Sequence, residues 1–164
     1  MAELPTEPIR QEHRELARHL DHLDRAAAHV TSIDGAAAAS LLPRLVAFLR
    51  DDLLSHAREE EEVLYPAVDR IAGAGVTATM VADHVGIAER IETLADSVDK
   101  ALEAWNEEAA ADMSRQLAAL SAIVDLHFRK EEEVLLPILD EGLSVEEGHA
   151  LFETAHGHGG HHHE

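Results

Sequence analysis

The sequence predicts an all-α protein, an up-down-up-down four-helix bundle with a pseudo-two-fold internal repeat. Hydrophobic residues make up 46% of the 164 residues, but only 3% are aromatic, and glycine and proline are few, which favours helices over sheets. The segment His56–Asp69 returns 71 positions later as His127–Asp140, with nine of fourteen positions identical. Two helices per repeat, joined by short connections, close most simply as such a bundle.

The first and third helices are predicted from inward positions that recur at alternating steps of four and three residues. Pro5 and Pro8 precede the first of these stretches and suit a helix start. The third helix repeats the pattern of the first after 71 residues, and each pattern contains one histidine. The two sets are Ile9, His13, Leu16, Leu20, Leu23 and Ala27, then Met80, His84, Ile87, Ile91, Leu94 and Val98.

The second and fourth helices each place a histidine and, four residues later, a glutamate among their inward positions. The two sets are Leu42, Leu45 or Val46, Leu49, Leu53, His56, Glu60, Val63 and Ala67, then Leu117, Leu120, Val124, His127, Glu131, Val134 and Ile138. Pro66 and Pro137 lie where these patterns continue, and proline lacks the N–H that would bond the carbonyl four residues back. We therefore expect a kink or an early helix end at the same depth in both repeats.

Turn-forming residues divide the chain into three parts. Breaks between the bundle helices are expected at residues 31–35, at Gly73 and Gly75, and at Asn106. Gly142 ends the fourth helix, so the bundle domain comprises residues 1–142. Ser144 and Glu147 have capping-box spacing and predict a short C-terminal helix over residues 143–155. Residues 156–164, rich in glycine and histidine, are expected to form a disordered tail.

Charge and composition exclude several classes of partner. The formal net charge of −20 argues against nucleic acid or an anionic membrane surface, because both require basic patches. The absence of cysteine excludes disulfides and thiolate metal sites. No apolar run approaches the roughly 20 residues of a membrane span and no signal pattern opens the chain, so a cytoplasmic protein is expected.

Polar residues at inward positions are the strongest functional signal. A buried, unpaired carboxylate is costly, and two carboxylates with four imidazoles in one layer need a shared counter-charge, which a pair of metal ions supplies. Residues four apart lie on the same helix face, so each His-x-x-x-Glu presents a nitrogen and an oxygen to one point. Such ligands suit iron or manganese, with zinc possible. The candidate ligands are His13, His56, Glu60, His84, His127 and Glu131.

The other candidate residues have less distinctive positions. His19, His22 and His29 rotate away from the inward face and are expected in solvent, and His149 at the surface or in packing. The tail histidines could capture metal loosely. Tyr65 lies half a turn from His56 and is interpreted as a packing residue. Several neighbouring acids are expected to face mostly water: Glu59, Glu61, Glu62, Glu132 and Glu133.

Together these motifs resemble the haemerythrin-like family, the HHE cation-binding domains, over about residues 5–142. The matching elements are Glu12-His13, Asp83-His84 and the two His-x-x-x-Glu segments, each followed by Val-Leu, one further residue and proline. The resemblance implies a four-helix bundle that holds two iron ions joined by an oxo or hydroxo bridge. It implies terminal ligation by His13, His56, His84 and His127, with Glu60 and Glu131 as bridging ligands.

The sequence departs from the oxygen-carrying members in two places. They have His-x-x-x-His in the third helix, but the position four residues after His84 is Ala88, and their fourth helix uses His-x-x-x-x-Asp rather than His-x-x-x-Glu. One imidazole fewer leaves an additional exchangeable position. Solvent, Glu59 or Tyr65 could occupy it.

An exchangeable position favours reaction with a small oxidant over reversible oxygen carriage. The first hypothesis is therefore a di-iron oxidoreductase, peroxidase- or catalase-like or consuming nitric oxide. Its reactant would be hydrogen peroxide, nitric oxide or dioxygen in oxidative or nitrosative stress protection, with an unidentified electron donor. The alternative is a non-catalytic oxygen or iron binding protein, namely a sensor, carrier or store. The buried charges disfavour a metal-free bundle.

Overall fold

The structure, a computed structural model, describes residues 2–156. Over this range it contains helices and turns and no strand. The α-helices are α1 (Glu7–His29), α2 (Gly35–Phe48), α3 (Leu54–Glu59), α4 (Tyr65–Ala72), α5 (Ala78–Glu103), α6 (Glu107–Lys130), α7 (Leu136–Gly142) and α8 (Val145–His156). The predicted tail begins at His156, which is instead the last residue of α8; residues 157–164 lie outside the described residues.

The helices form the predicted bundle. α2, α3 and α4 follow one another through π-helical turns as the second helix of the bundle, and α6 and α7 do the same as the fourth. α1 packs on α6, α6 on α5, and α5 on α2, while α8 contacts α1. None of the described helices combines the length and the apolar character needed to cross a membrane.

Pro66 and Pro137, which the 71-residue repeat relates, follow π-helical turns instead of ending their helices. The turns Glu60–Leu64 and Glu131–Leu135 bond each N–H to the carbonyl five residues back, as Tyr65 does to Glu60 and Leu136 to Glu131. Each proline then enters the first turn of the next α-helix, where its missing N–H costs little. The expected early helix end is therefore wrong, although both repeats change geometry at the same depth.

The turns Glu60–Leu64 and Glu131–Leu135 each shift the inward face of the helix by one residue, because a π-helical turn holds one residue more than an α-helical turn. Leu135 is buried at the position expected for Val134, whose surface is 56% exposed. Likewise Val63 and Ile138 are only half-buried, while the residue that follows each of them is buried. The same shift turns Tyr65 inward, where it is 2% exposed.

The predicted turns are confirmed. Asn106 accepts a hydrogen bond from the N–H of Ala109 at 2.9 Å and caps α6. Ser144 and Glu147 form a reciprocal capping box at the start of α8, with hydrogen bonds of 2.8 and 3.1 Å. Gly73 and Gly75 adopt φ of 120° and 86°, a region that only glycine enters without strain.

The core consists of two apolar clusters with a polar layer between them. On α1 the polar layer lies between Ile9 of one cluster and Leu16 of the other, and on α5 it lies between Met80 and Ile87. The second and fourth bundle helices pass through the same three levels. The candidate ligands occupy this layer, so the fold presents all of them at one depth in the bundle.

Candidate metal centre

All six candidate ligands are buried in the polar layer. Each bundle helix contributes one histidine, and the two glutamates begin the π-helical turns that follow α3 and α6. None of the six is more than 7% exposed: His13, His56, Glu60, His84, His127 and Glu131.

Glu60 lies between two pairs of histidines. It shares one group of potential ligand atoms with His13 and His56 and a second group with His84 and His127. Its Oε2 is 3.8 Å from Nε2 of His13, whereas its Oε1 is 3.5 Å from Nε2 of His56 and 3.3 Å from Nε2 of His84. A carboxylate that has histidine nitrogens of both pairs within 4 Å lies where it could bridge two cations.

Glu131 lies beside the second pair only. Its Oε1 is 2.9 Å from Nε2 of His127, and it belongs to neither three-residue group. The structure therefore places Glu60 centrally and Glu131 to one side, whereas the sequence treats the two as equivalent.

Tyr65 reaches the same point as His84 and His127, which corrects its interpretation as a packing residue. Its phenol oxygen is 3.1 Å from Nε2 of His84 and 3.3 Å from Nε2 of His127, and those two nitrogens are 3.0 Å apart. Metal–nitrogen distances of about 2.1 Å place adjacent ligands of an octahedral ion about 3 Å apart. The spacing of these atoms is thus that of groups around one cation.

The layer contains buried polar atoms that find no hydrogen-bond partner. Within the part of the chain that the structure describes, seven such side-chain atoms occur, and all belong to candidate ligands: His13 Nε2, His56 Nε2, Glu60 Oε1 and Oε2, His84 Nδ1, and Glu131 Oε1 and Oε2. Buried polar groups are otherwise nearly always paired. A cation bound among them would satisfy all of these atoms except His84 Nδ1, since His84 faces the layer with Nε2. The donor set therefore fits a metal centre.

A carboxylate lies beside the Nδ1 atom of every histidine in the layer. Glu132 is 2.7 Å from His13 Nδ1, Glu12 is 2.9 Å from His56 Nδ1, Asp83 is 2.9 Å from His127 Nδ1, and Glu61 is 3.5 Å from His84 Nδ1. Such outer carboxylates orient metal-binding imidazoles and leave Nε2 available as the ligand atom.

These four contacts obey the 71-residue repeat. The pair Glu12–His56 becomes Asp83–His127, and the pair Glu61–His84 becomes Glu132–His13. Glu59 and Glu132 are half-buried, so the expectation that they mostly face water is wrong. Sequence reasoning missed the pairings because they cross between helices, although the repeat itself relates the acids.

Electrostatics hold the centre in a charged, protonated state when no cation is bound. Burial disfavours ionisation of Glu60, but His56, His127 and His13 outweigh it and keep the pKa of Glu60 well below its ordinary value. Burial likewise disfavours a charged His56, yet Glu60 and Glu12 raise the pKa of that imidazole. A metal ion that binds to His56 must therefore displace the proton that this imidazole carries.

Similar contacts act at the edge of the layer. Burial opposes ionisation of Glu132, but His13 and Arg10 lower its pKa. Asp83 has a lowered pKa because His127 and Lys130 outweigh its burial. Both outer carboxylates are therefore held anionic beside their imidazoles.

Aromatic rings distinguish the two sides of the centre. The ring of Phe128 stacks on His13 with centroids 4.7 Å apart, while Tyr65 stacks on His84 at 5.4 Å. The repeat places Ala57 opposite Phe128 and Leu136 opposite Tyr65, so neither ring has a counterpart.

Two small cavities adjoin the centre. One of about 20 Å³ lies between Glu60, His56 and the α8 residue Phe152. The other, of about 10 Å³, lies between His84, His127 and Val124. Because a single water needs roughly 10–15 Å³ by this measure, each has room for about one small molecule.

The remaining histidines lie away from the layer. His19, His22 and His29 are exposed, as predicted. His149 is half-buried, and its Nε2 is 3.3 Å from the carbonyl oxygen of Leu4, which indicates a packing role. The histidines of the tail beyond His156 lie outside the described residues.

Comparison with known proteins identifies one family. A model of the Hemerythrin HHE cation binding domain matches residues 4–139, and the same model matches a second time over residues 76–164. The second match begins close to the start of the second repeat. No curated protein and no solved structure matches the chain.

Proposed function

Because the chain belongs to the haemerythrin HHE cation-binding domain family, we propose that its polar layer holds two iron ions and that the centre reacts with a small oxidant. The ligands in this proposal are His13, His56, Glu60, His84, His127 and Glu131. Glu60 would bridge the two ions, Glu131 would bind beside His127, and Tyr65 would face the ion held by His84 and His127. Residues 1–142 would form the metal-binding domain, with α8 as an appended helix.

One observation carries this proposal. Every buried side-chain polar atom that lacks a hydrogen-bond partner, among the residues that the structure describes, belongs to the proposed ligand set. An unpaired buried group costs about 1–3 kcal/mol, more when charged. Bound cations would offset that cost, whereas a purely structural role for these side chains would leave it uncompensated.

Di-iron supplies redox chemistry and Lewis acidity at such a centre, and the protein contributes orientation and charge. Outer carboxylates hold the imidazoles of His13, His56 and His127 through hydrogen bonds at Nδ1, so that Nε2 of each faces inward. The low pKa of Glu60 keeps it anionic and ready to bridge. The phenol of Tyr65 can donate a hydrogen bond into the space between His84 and His127.

Two features support a very small reactant. The cavities beside the layer are about 20 and 10 Å³, which excludes organic substrates and admits peroxide, nitric oxide or dioxygen. Ala88 occupies the position where an oxygen carrier presents a further imidazole, so an ion held on the His84 side would have one protein ligand fewer.

The first experiment measures the metal content of the protein and two variants. Protein produced in iron-replete cells should contain about two irons per chain, and His127→Ala should lose most of them. The exposed residue His22 provides a matched control, since His22→Ala should retain the iron. Equal metal in all three proteins would contradict the ligand assignment.

Peroxide and nitric oxide consumption then test the reaction. The iron-loaded protein should consume one of them faster than an equal concentration of free iron. A stable, reversible oxygen adduct without turnover would instead identify a binding protein and overturn the enzymatic proposal.

A further inference from the structure

The outer shell of the centre departs from the internal repeat at a few charged positions, and at one of them the sign of the charge is reversed. Glu59 and Lys130 are related by the 71-residue shift, so one repeat carries an acid where the other carries a base. The carboxylates and histidines around them are otherwise matched, as Glu12 and His56 are to Asp83 and His127.

Lys130 acts on the second pair of histidines through a short chain of contacts. Its ammonium group contacts Oδ2 of Asp83, and the same oxygen lies 2.9 Å from Nδ1 of His127. Lys130 and Asp83 are 37% and 26% exposed, so solvent screens this contact only in part.

Glu59 has the opposite effect on the first pair. Potential ligand atoms of Glu59, Glu12 and His56 all lie within 4.8 Å of one another, and both acids are half-buried. His56 therefore has two carboxylates near it, whereas the carboxylate beside His127 has an ammonium group against it.

Two further departures from the repeat act on a different histidine. Arg10 bonds to Glu132 at 2.8 Å and to Asp140 at 2.9 Å, while its counterpart is the apolar Val81. Arg14 also lowers the pKa of Glu132, and its counterpart is the apolar Val85. These cations act on the carboxylate beside His13, whereas Glu59 lies beside His56 and Lys130 acts on the carboxylate beside His127.

We propose that Lys130 and Glu59 make the two metal positions inequivalent, Lys130 by weakening binding of the ion held by His84 and His127 and Glu59 by strengthening binding of the ion held by His13 and His56. This inference rests on the proposed two-metal centre. Lys130 is a positioning residue that acts through Asp83, because its ammonium group withdraws negative charge from the carboxylate that supports His127. A less electron-rich imidazole in a less negative environment binds a cation more weakly.

Zinc titration of the metal-free protein against a chromogenic chelator tests the proposal without requiring turnover. The wild-type chain should bind two zinc ions. Lys130→Met should tighten one of the two affinities by about tenfold, the lower end of the range for outer-shell changes. Lys130→Arg retains the charge and should leave both affinities unchanged. Glu59→Gln should weaken the other affinity.

Variants that keep only one pair of histidines assign each affinity. In a His13→Ala background, where the His84 and His127 pair remains, Lys130→Met should tighten zinc binding. In a His84→Ala background it should have no effect, and Glu59→Gln should instead weaken binding there. Thermal melting of each metal-free variant confirms that it is folded.

Failure of this inference is distinct from failure of the proposed centre. If two zinc ions bind but Lys130→Met and Glu59→Gln leave both affinities unchanged, the inequivalence is wrong and the centre stands. If the wild-type chain binds no second ion, the two-metal centre is wrong and the inference falls with it.

Discussion

The phenol oxygen of Tyr65 lies 3.1 Å from Nε2 of His84, in the layer that separates the two apolar clusters. Simple helical phase places this tyrosine away from the layer, and the π-helical turn Glu60–Leu64 rotates it inward. A conformation of the backbone thus adds a group to the centre that the positions of the histidines do not reveal.

Tyr65 should resist ionisation in the metal-free protein. Burial, together with the negative charges of Glu60, Glu61 and Asp83, raises its pKa above the ordinary value of 10.0. It is the chain's single tyrosine, so an ultraviolet titration reports on it alone. Tyrosinate absorbance should stay flat through pH 10 and appear only as the protein unfolds. A normal titration near pH 10 in folded protein would refute the burial argument, and Tyr65→Phe supplies the blank.

The metal-free protein should lose stability as the pH rises from about 6.5 towards about 10. Burial opposes the charged form of His56, but Glu60 and Glu12 raise its pKa from 6.5 to about 10. Over this interval the folded state keeps a proton that the unfolded state releases, so the free energy of unfolding falls with rising pH. Urea denaturation at several pH values measures the slope. The metal-loaded protein is the control and should show a smaller slope, since the metal displaces this proton. A metal-free stability that rises over the same interval would contradict the assignment.

Glu131→Leu should stabilise the metal-free protein while abolishing its response to metal. Glu131 is 0% exposed, and neither carboxylate oxygen makes a well-oriented hydrogen bond, although Oε1 lies 2.9 Å from Nε2 of His127. Removing an unsatisfied buried group should raise the free energy of unfolding by about 1–3 kcal/mol. Denaturant melts with and without added metal test both effects.

The exposed residue Glu133 provides the comparison for that variant. Glu133→Leu should leave both the metal-free stability and the metal response nearly unchanged. A loss of metal-free stability in Glu131→Leu would mean that this glutamate is a structural residue rather than a ligand.

Gly148→Ala should displace α8 from the bundle. A Cβ at this position would lie 2.3 Å from the carbonyl oxygen of Pro5, a backbone atom that cannot move aside cheaply. Phe152, which is 2% exposed, would then lose its packing against the apolar cluster that contains Ile9. Hydrogen exchange of α8 and protease sensitivity at the C-terminal end should both increase.

Gly86 on α5 is the matched control for that substitution. An added Cβ there meets nothing within 4 Å, so Gly86→Ala should stabilise its helix by about 0.5–1 kcal/mol. If both variants behaved alike, the tight approach of Gly148 to Pro5 would have no energetic consequence.

Local signals in the sequence predicted most of the fold. The helical periodicity located the four bundle helices, and short-range hydrogen bonding explains why the Asn106 cap and the Ser144–Glu147 capping box were also predicted. The inward positions near Val134 were wrong because periodicity assumes one constant helical pitch. Pro66 and Pro137 did mark the change of geometry, but a missing N–H is compatible with a helix end, a kink or a π-helical turn.

The sequence by itself determined the family, the bundle, and the burial of four histidines and two glutamates in one layer. Those properties follow from spacing along the chain and from the repeat. Only the tertiary structure decided that Tyr65 enters the layer and that Glu60 is central and Glu131 lateral. It also decided that Lys130 contacts Asp83, the carboxylate beside His127. These relationships depend on distances between helices and on the rotation that each π-helical turn adds, and neither is encoded in the order of residues along a single helix.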